Sequence, residues 1–155
     1  MVDQAVARIT AIAFLKAHTA GVLATVSGEG HPHASAIFYT TDERFSIYFL
    51  TLRSSRKYAA IQANPWAAFV VGEEDVPQTL QIEGPISELR SDEEKQRRIP
   101  DLVKILTSNS TYYAPITKLD PVESAVMWLD AKWVRWGDYA SPLQGTENVL
   151  TEIKL

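Results

Sequence analysis

Along its first stretch the chain sets Val6, Ile9, Ala13, Phe14 and Ala17 at helical spacing, with Gly21 soon after His18 and Thr19 as a stop signal. Asp3 to His18 therefore predicts an amphipathic helix lying across a sheet. The period then shortens. "VLATV" (Val22 to Val26) and "ASAIFYT" (Ala34 to Thr40) read as strands joined by the Gly- and Pro-containing turn "SGEGHPH" (Ser27 to His33). A second turn, Thr41-Asp42-Glu43-Arg44, leads into "FSIYFLT" (Phe45 to Thr51), which makes three antiparallel strands in succession. Ser54 to Asn64 predicts a short helix closed by Pro65, which disfavours helical geometry in the residue before it. "WAAFVV" (Trp66 to Val71) is a buried-type strand, and in "TLQIEGPISEL" (Thr79 to Leu89) Gly84-Pro85 marks a bulge or bend. Ser91 with Glu94 forms a capping box ahead of the stripe Ile99, Leu102, Val103 and Leu106; Pro100 interrupts it and predicts a kinked or split helix. After the polar "TSNSTYYAP" segment, "ESAVMWLDA" and "KWVRWGDYA" give two more strands around Asp130-Ala131, and the tail receives no assigned element.

Six or seven mostly antiparallel strands need closure or sheet packing to remove their edges, which favours a small β-barrel whose open ends are covered by helices. At 155 residues the chain forms one domain, with a barrel core at about 20–140 and a tail at 141–155. The net charge of -4 offers no basic footprint for nucleic acid or an anionic membrane, so any anion site has to be local. The absence of cysteine excludes disulfides, thiolate metal sites and a Cys nucleophile, and fits a reducing compartment, the cytoplasm by default. Asp3, Arg8 and Lys16 around a short apolar run argue against a signal peptide or a membrane span.

The chemistry concentrates in "YFLTLRSSRKYAAIQANP" (Tyr48 to Pro65), where Arg56 and Lys57 fall in the first turn of the predicted helix. The positive end of the helix dipole makes that a poor place for cations unless an anion sits among them. His31 and His33 alternate in an extended segment and would share a face. Without cysteines to complete a ligand set they read as turn-edge residues, and no metal is expected. Three histidines and no Gly-x-Ser-x-Gly elbow build no hydrolytic triad, and no catalytic side chain is assigned.

In order along the chain, "GVLATVSGEGHPHASAIFY", "FLTLRSSRKYAAIQANP" and "LQIEGPISEL" resemble the flavin-binding split-barrel family that includes pyridoxamine 5'-phosphate oxidase. The resemblance runs over roughly Phe14 to Tyr139. It implies an antiparallel split β-barrel with peripheral helices, forming a homodimer that binds flavin mononucleotide (FMN) at the protomer interface and acts on a small-molecule substrate. By that resemblance Arg56 and Lys57 hold the FMN phosphate, with Ser54 and Ser55 donating at the same helix terminus. Ser35, Ala36 and Ile37 supply a strand whose backbone lies against the isoalloxazine ring, and Leu50 and Thr51 supply a second wall. Thr79 stands where the oxidase has a flavin-contacting glutamine, with Gln81 on the same strand face as a replacement. Trp128 matches a cofactor-contacting tryptophan, although three tryptophans within Trp128 to Trp136 also read as a dimer core.

One departure narrows the activity. In "VRWGDY" Arg135 is followed at the second position by Gly137, where the vitamin-forming oxidase carries an Arg-x-His pair, and that oxidase's extra C-terminal segment is missing. Synthesis of pyridoxal phosphate is therefore not expected. The implied function is an FMN-dependent oxidoreductase in which the flavin carries the chemistry. The alternatives are a flavin-binding or redox-sensing module without turnover, and a deazaflavin- or heme-binding split barrel.

Overall fold

A computed structural model describes residues 3–73, 75–108, 120, 122–140 and 149–155. Helix α1 (Gln4–Ala17) starts where the Asp3 carboxylate accepts hydrogen bonds from the Ala5 and Val6 amides. It buries Ala7, Ala11, Phe14 and Leu15, whereas Val6 and Ile9, expected on the buried stripe, are 60% and 70% exposed. Two alanines let this face sit close to the sheet. Phe14 meets Trp136 edge-on at 5.1 Å between centroids, and the Tyr39 hydroxyl donates to the Leu15 carbonyl.

β1 (Ala20–Val26) and β2 (Pro32–Phe38) form the expected hairpin, with Thr25 opposite His33 and Leu23 opposite Ser35. The third strand does not continue it. Past the short β3 (Thr40–Thr41), the Asp42 carboxylate accepts from the Arg44 and Ser46 amides and from the Tyr48 hydroxyl, and Phe45 takes φ 63°. This corner swings β4 (Ile47–Leu52) away from β2 and onto β7 (Ser124–Leu129). With β5 (Trp66–Glu73) and β6 (Val76–Glu88) between the halves, the order is β2-β1-β5-β6-β7-β4-β3.

β6 joins the two halves of the split barrel. Gln78–Glu83 pair with β8 (Trp133–Asp138) and Ile86–Glu88 with β7. The bend falls at Gly84-Pro85, where a Cβ on Gly84 would lie 1.9 Å from the Asp130 carbonyl oxygen, so only glycine admits the β7–β8 corner. The tail, unassigned from sequence, supplies β9 (Leu150–Ile153), which pairs with β8. Leu23, Phe69, Leu80, Ile82, Met127 and Leu129 fill the core.

α2 (Arg56–Ala63) follows β4, and α3 (Asp92–Ser108) covers the outer face of β4 and β7 over Tyr48, Leu50, Val126 and Trp128. α3 runs unbroken through Pro100, contrary to the expected split. Pro100 and Gln96, whose carbonyl loses its helical partner, both lie on the exposed side, where that carbonyl is open to solvent.

Candidate anion-binding site at the start of α2

β4 ends at Leu52, and Ser55 caps α2 by accepting from the Tyr58 amide at 3.1 Å. Ser55 Oγ also shares a hydrogen bond with Thr51 Oγ1 at 3.0 Å, which ties the cap to the strand. Arg56 and Lys57 are thereby held in the first turn. They face the β1–β2 hairpin across a cleft of about 410 Å³ lined by Thr25, His33, Ala34, Ser35, Arg56 and Lys57.

Three features of this cleft suit an anion. Burial lowers the Lys57 pKa: the half-buried ammonium loses part of its water and pairs with no carboxylate among the described residues. Arg56 Nη2 lies 3.0 Å from His33 Nε2, and among the described residues the guanidinium pairs with no carboxylate. Thr25 is 1% exposed, and its hydroxyl has no partner among the described residues. A phosphate would accept from the hydroxyl, pair with both cations and meet the free amides of the helix terminus at once.

The predicted site residues divide between this cleft and other places. Ser35, Ser55, Arg56, Lys57 and Thr51 gather at or beside it, and Ser54 lies in the exposed turn leading into the helix. β2 is the last strand of its half among the described residues, so its outer edge beside Ser35 pairs with no described strand. Ile37 points into the core, and Ala36 sits on the opposite face, across from Val22. Leu50 and Trp128 are under α3, where the Trp128 indole N–H is buried with no partner among the described residues. Thr79 and Gln81 lie on β6 away from the cleft, and the Gln81 amide oxygen accepts from Arg135 Nε and Nη2 at 2.8 and 2.5 Å.

Sequence reasoning passed over Thr25 and read His33 as a turn-edge residue. The signal lay in the hairpin register: a turn closed by Ser27 N–H on the His31 carbonyl sets Thr25 opposite His33. Arg53 was also missed. Its guanidinium donates to both Glu88 oxygens at 2.7 and 2.5 Å, to the Tyr58 hydroxyl at 3.1 Å and to the Val122 carbonyl at 3.1 Å. Arg53, aided by Tyr58 and opposed by burial, holds the Glu88 carboxyl below its usual range. Among the described residues no cluster of acids and histidines is arranged to hold a metal ion, and no helix is long and apolar enough to cross a membrane.

The pyridoxamine 5'-phosphate oxidase family model matches residues 10–136. No curated protein sequence matches the chain. A heme-binding protein of Mycobacterium smegmatis superposes with a TM-score of 0.70 at 18% identity; the match covers 99% of this chain but 59% of that longer one. A protein of Clostridium acetobutylicum related to general stress protein 26 gives 0.70 at 15% identity, over 99% of this chain and 97% of its own. A FAD-binding protein of Mesorhizobium loti gives 0.64 at 16% identity, over 81% and 90%. At these identities the likeness is one of fold, and the family match is the more specific finding. With most of its length covered by that match, the chain belongs to the pyridoxamine 5'-phosphate oxidase family.

Proposed function

We propose that the chain binds FMN with its phosphate in the α2 cleft and acts as an oxidoreductase on a small substrate. The observation that carries this reading is the convergence of a buried unpartnered hydroxyl, a desolvated ammonium and a guanidinium on one helix N-terminus. Arg56, Lys57 and Thr25 would hold the phosphate at the helix start that Ser55 caps, and the edge of β2, unpaired among the described strands, would meet the polar rim of the ring with backbone groups. The bound flavin supplies the hydride or electron chemistry, and the residues of the chain bind it, orient it and exclude water.

A second copy of this chain would complete the site. The outer face of β1 and β5 presents Val22, Ala24, Ala68 and Val70, with Trp66 exposed nearby and Gln81, Glu83 and Arg135 at its border, an apolar patch with a polar rim suited to a homodimer. Thr79 and Gln81 share that face and would lie in the interface rather than in the cleft of their own protomer. A heme reading needs a free axial ligand. His33 is engaged by Arg56, the His18 ring sits 2.7 Å from the Phe14 carbonyl, and His31 lies in an exposed turn beside Glu29. A deazaflavin would use the same cradle.

The test begins with an absorption spectrum of freshly purified protein and the mass of the ligand released on denaturation. Oxidised-flavin bands with the mass of FMN support the reading, and a deazaflavin mass would replace the cofactor. The double variant Arg56→Ala/Lys57→Ala is expected to weaken FMN binding tenfold or more, since hydrogen bonds to charged groups contribute about 1.5–3 kcal/mol each. Unchanged affinity would remove the phosphate from this cleft. Reoxidation of reduced flavin by an acceptor at a catalytic rate separates an enzyme from a carrier or sensor.

A further inference from the structure

The face of β4 turned away from the phosphate cleft borders a second, more enclosed cavity of about 220 Å³ beneath α3. Three apolar side chains wall it: Leu50 of β4, Val126 opposite it on β7, and Ile99 of α3. Two polar groups at its rim lack partners. Ser124 is 9% exposed and its hydroxyl bonds to nothing among the described residues, and the Lys95 ammonium pairs with no described residue. Glu88 also borders the cavity, but Arg53 engages both its oxygens and Tyr58 one of them, so it is not available to neutralise Lys95.

We propose that this cavity binds a small organic carboxylate with a compact apolar body. The carboxylate pairs with the Lys95 ammonium and accepts from the Ser124 hydroxyl, while the body lies against Leu50, Ile99 and Val126. The surroundings select a monoanion. Arg53 and Glu88, both on the lining, offset each other, which leaves the one Lys95 charge among apolar walls to match a single negative charge and not a dianion such as phosphate. The volume is below the about 300–1,000 Å³ of drug-sized pockets, which limits the ligand to roughly a single ring or a short branched chain. This site shares no polar group with the phosphate cradle and does not depend on the flavin reading.

The experiment is isothermal titration of the full chain with benzoate, with benzyl alcohol and inorganic phosphate as contrasts. Saturable one-to-one binding of benzoate is expected, with benzyl alcohol and phosphate at least tenfold weaker. Lys95→Gln should weaken benzoate tenfold or more and Ser124→Ala severalfold, both leaving FMN affinity unchanged. Lys95→Arg, which keeps the charge, should retain binding within severalfold and serves where the Gln variant does not fold. Absence of saturable benzoate binding, equal affinity for benzyl alcohol, or Lys95→Gln and Ser124→Ala variants that bind as the parent would each overturn the proposal.

Discussion

Thr25→Val exchanges a hydroxyl for a methyl group of nearly the same size, and its two expected effects have opposite signs. In the ligand-free chain the Thr25 hydroxyl is buried without a partner among the described residues, an arrangement that costs about 1–3 kcal/mol. Removing it should stabilise the ligand-free protein by about 1 kcal/mol, the lower end because the cleft beside it is open to water. For a chain of this length that is a rise in Tm of about 2–4 °C. In the complex the same hydroxyl would donate to a phosphate oxygen, a charge-assisted bond of about 1.5–3 kcal/mol. Its loss lowers FMN affinity roughly ten- to a hundredfold. Calorimetry on protein stripped of flavin and a flavin-fluorescence titration read the two effects separately. A fall in ligand-free Tm would mean that the hydroxyl is satisfied in the native state. Unchanged FMN affinity would mean that the phosphate lies elsewhere.

Burial holds the Lys57 pKa below its ordinary 10.5, so under alkaline conditions the unfolded chain binds more protons there than the folded one, and ligand-free stability rises with pH through that window. Lys57→Met should flatten the rise in urea midpoints measured as the pH is raised toward 10.5, whereas an identical slope would refute the assignment. The Glu88 carboxyl is held below its usual 4.5, so its stabilisation is complete above that pH and is lost as pH falls through the lowered folded value. Glu88→Gln should make the acid-unfolding limb shallower. It should also cost, at neutral pH, more than the about 0.2–1 kcal/mol of an exposed pair and less than the about 3–5 of a buried one, because Arg53 is 37% exposed and Glu88 14%. Gly84→Ala drives a methyl into the Asp130 carbonyl and should destabilise by about 3 kcal/mol or more, while Gly28→Ala, whose Cβ would rest 3.5 Å from Ala63, serves as a near-neutral control in the same denaturation assay.

What was legible in the sequence was local. The Asn64-Pro65 stop, the Gly84-Pro85 bend and the run of β-branched and aromatic strands each follow from short-range backbone preferences, and each is where the spacing put it. What was not legible depends on partners distant in sequence. β4 was read as the third strand of a meander because nothing near Phe45 announces a partner some eighty residues on; the pairing is decided by the Asp42 corner and by the apolar match of β4 to β7. The buried face of α1 was misassigned because Val6 and Ile9 outrank Ala7 and Ala11 in hydrophobicity, while close approach to the sheet favours the small residues. Within the cleft the cations were visible as electrostatically misplaced residues. The orphaned Thr25 hydroxyl became visible only once the hairpin register was known.

The proposed phosphate cradle is braced by the protein's own hydrogen bonds. A helix N-terminus binds an anion well when its free amides already point the right way, because less ordering is then lost on binding. Here the cap is fixed twice over: Ser55 is tied to Thr51 on β4, and Tyr58, one turn into α2, is tied through its hydroxyl to Arg53 and Glu88. Glu88 ends β6 just past the Gly84 bend, so the strand that joins the two halves of the barrel also positions the helix that carries Arg56 and Lys57. Two cations at the positive end of a helix would be a local defect in a chain with no use for them. A rigid brace, a desolvated ammonium and an unpaired hydroxyl around the same point are together the arrangement expected of a site that is complete only with its anion.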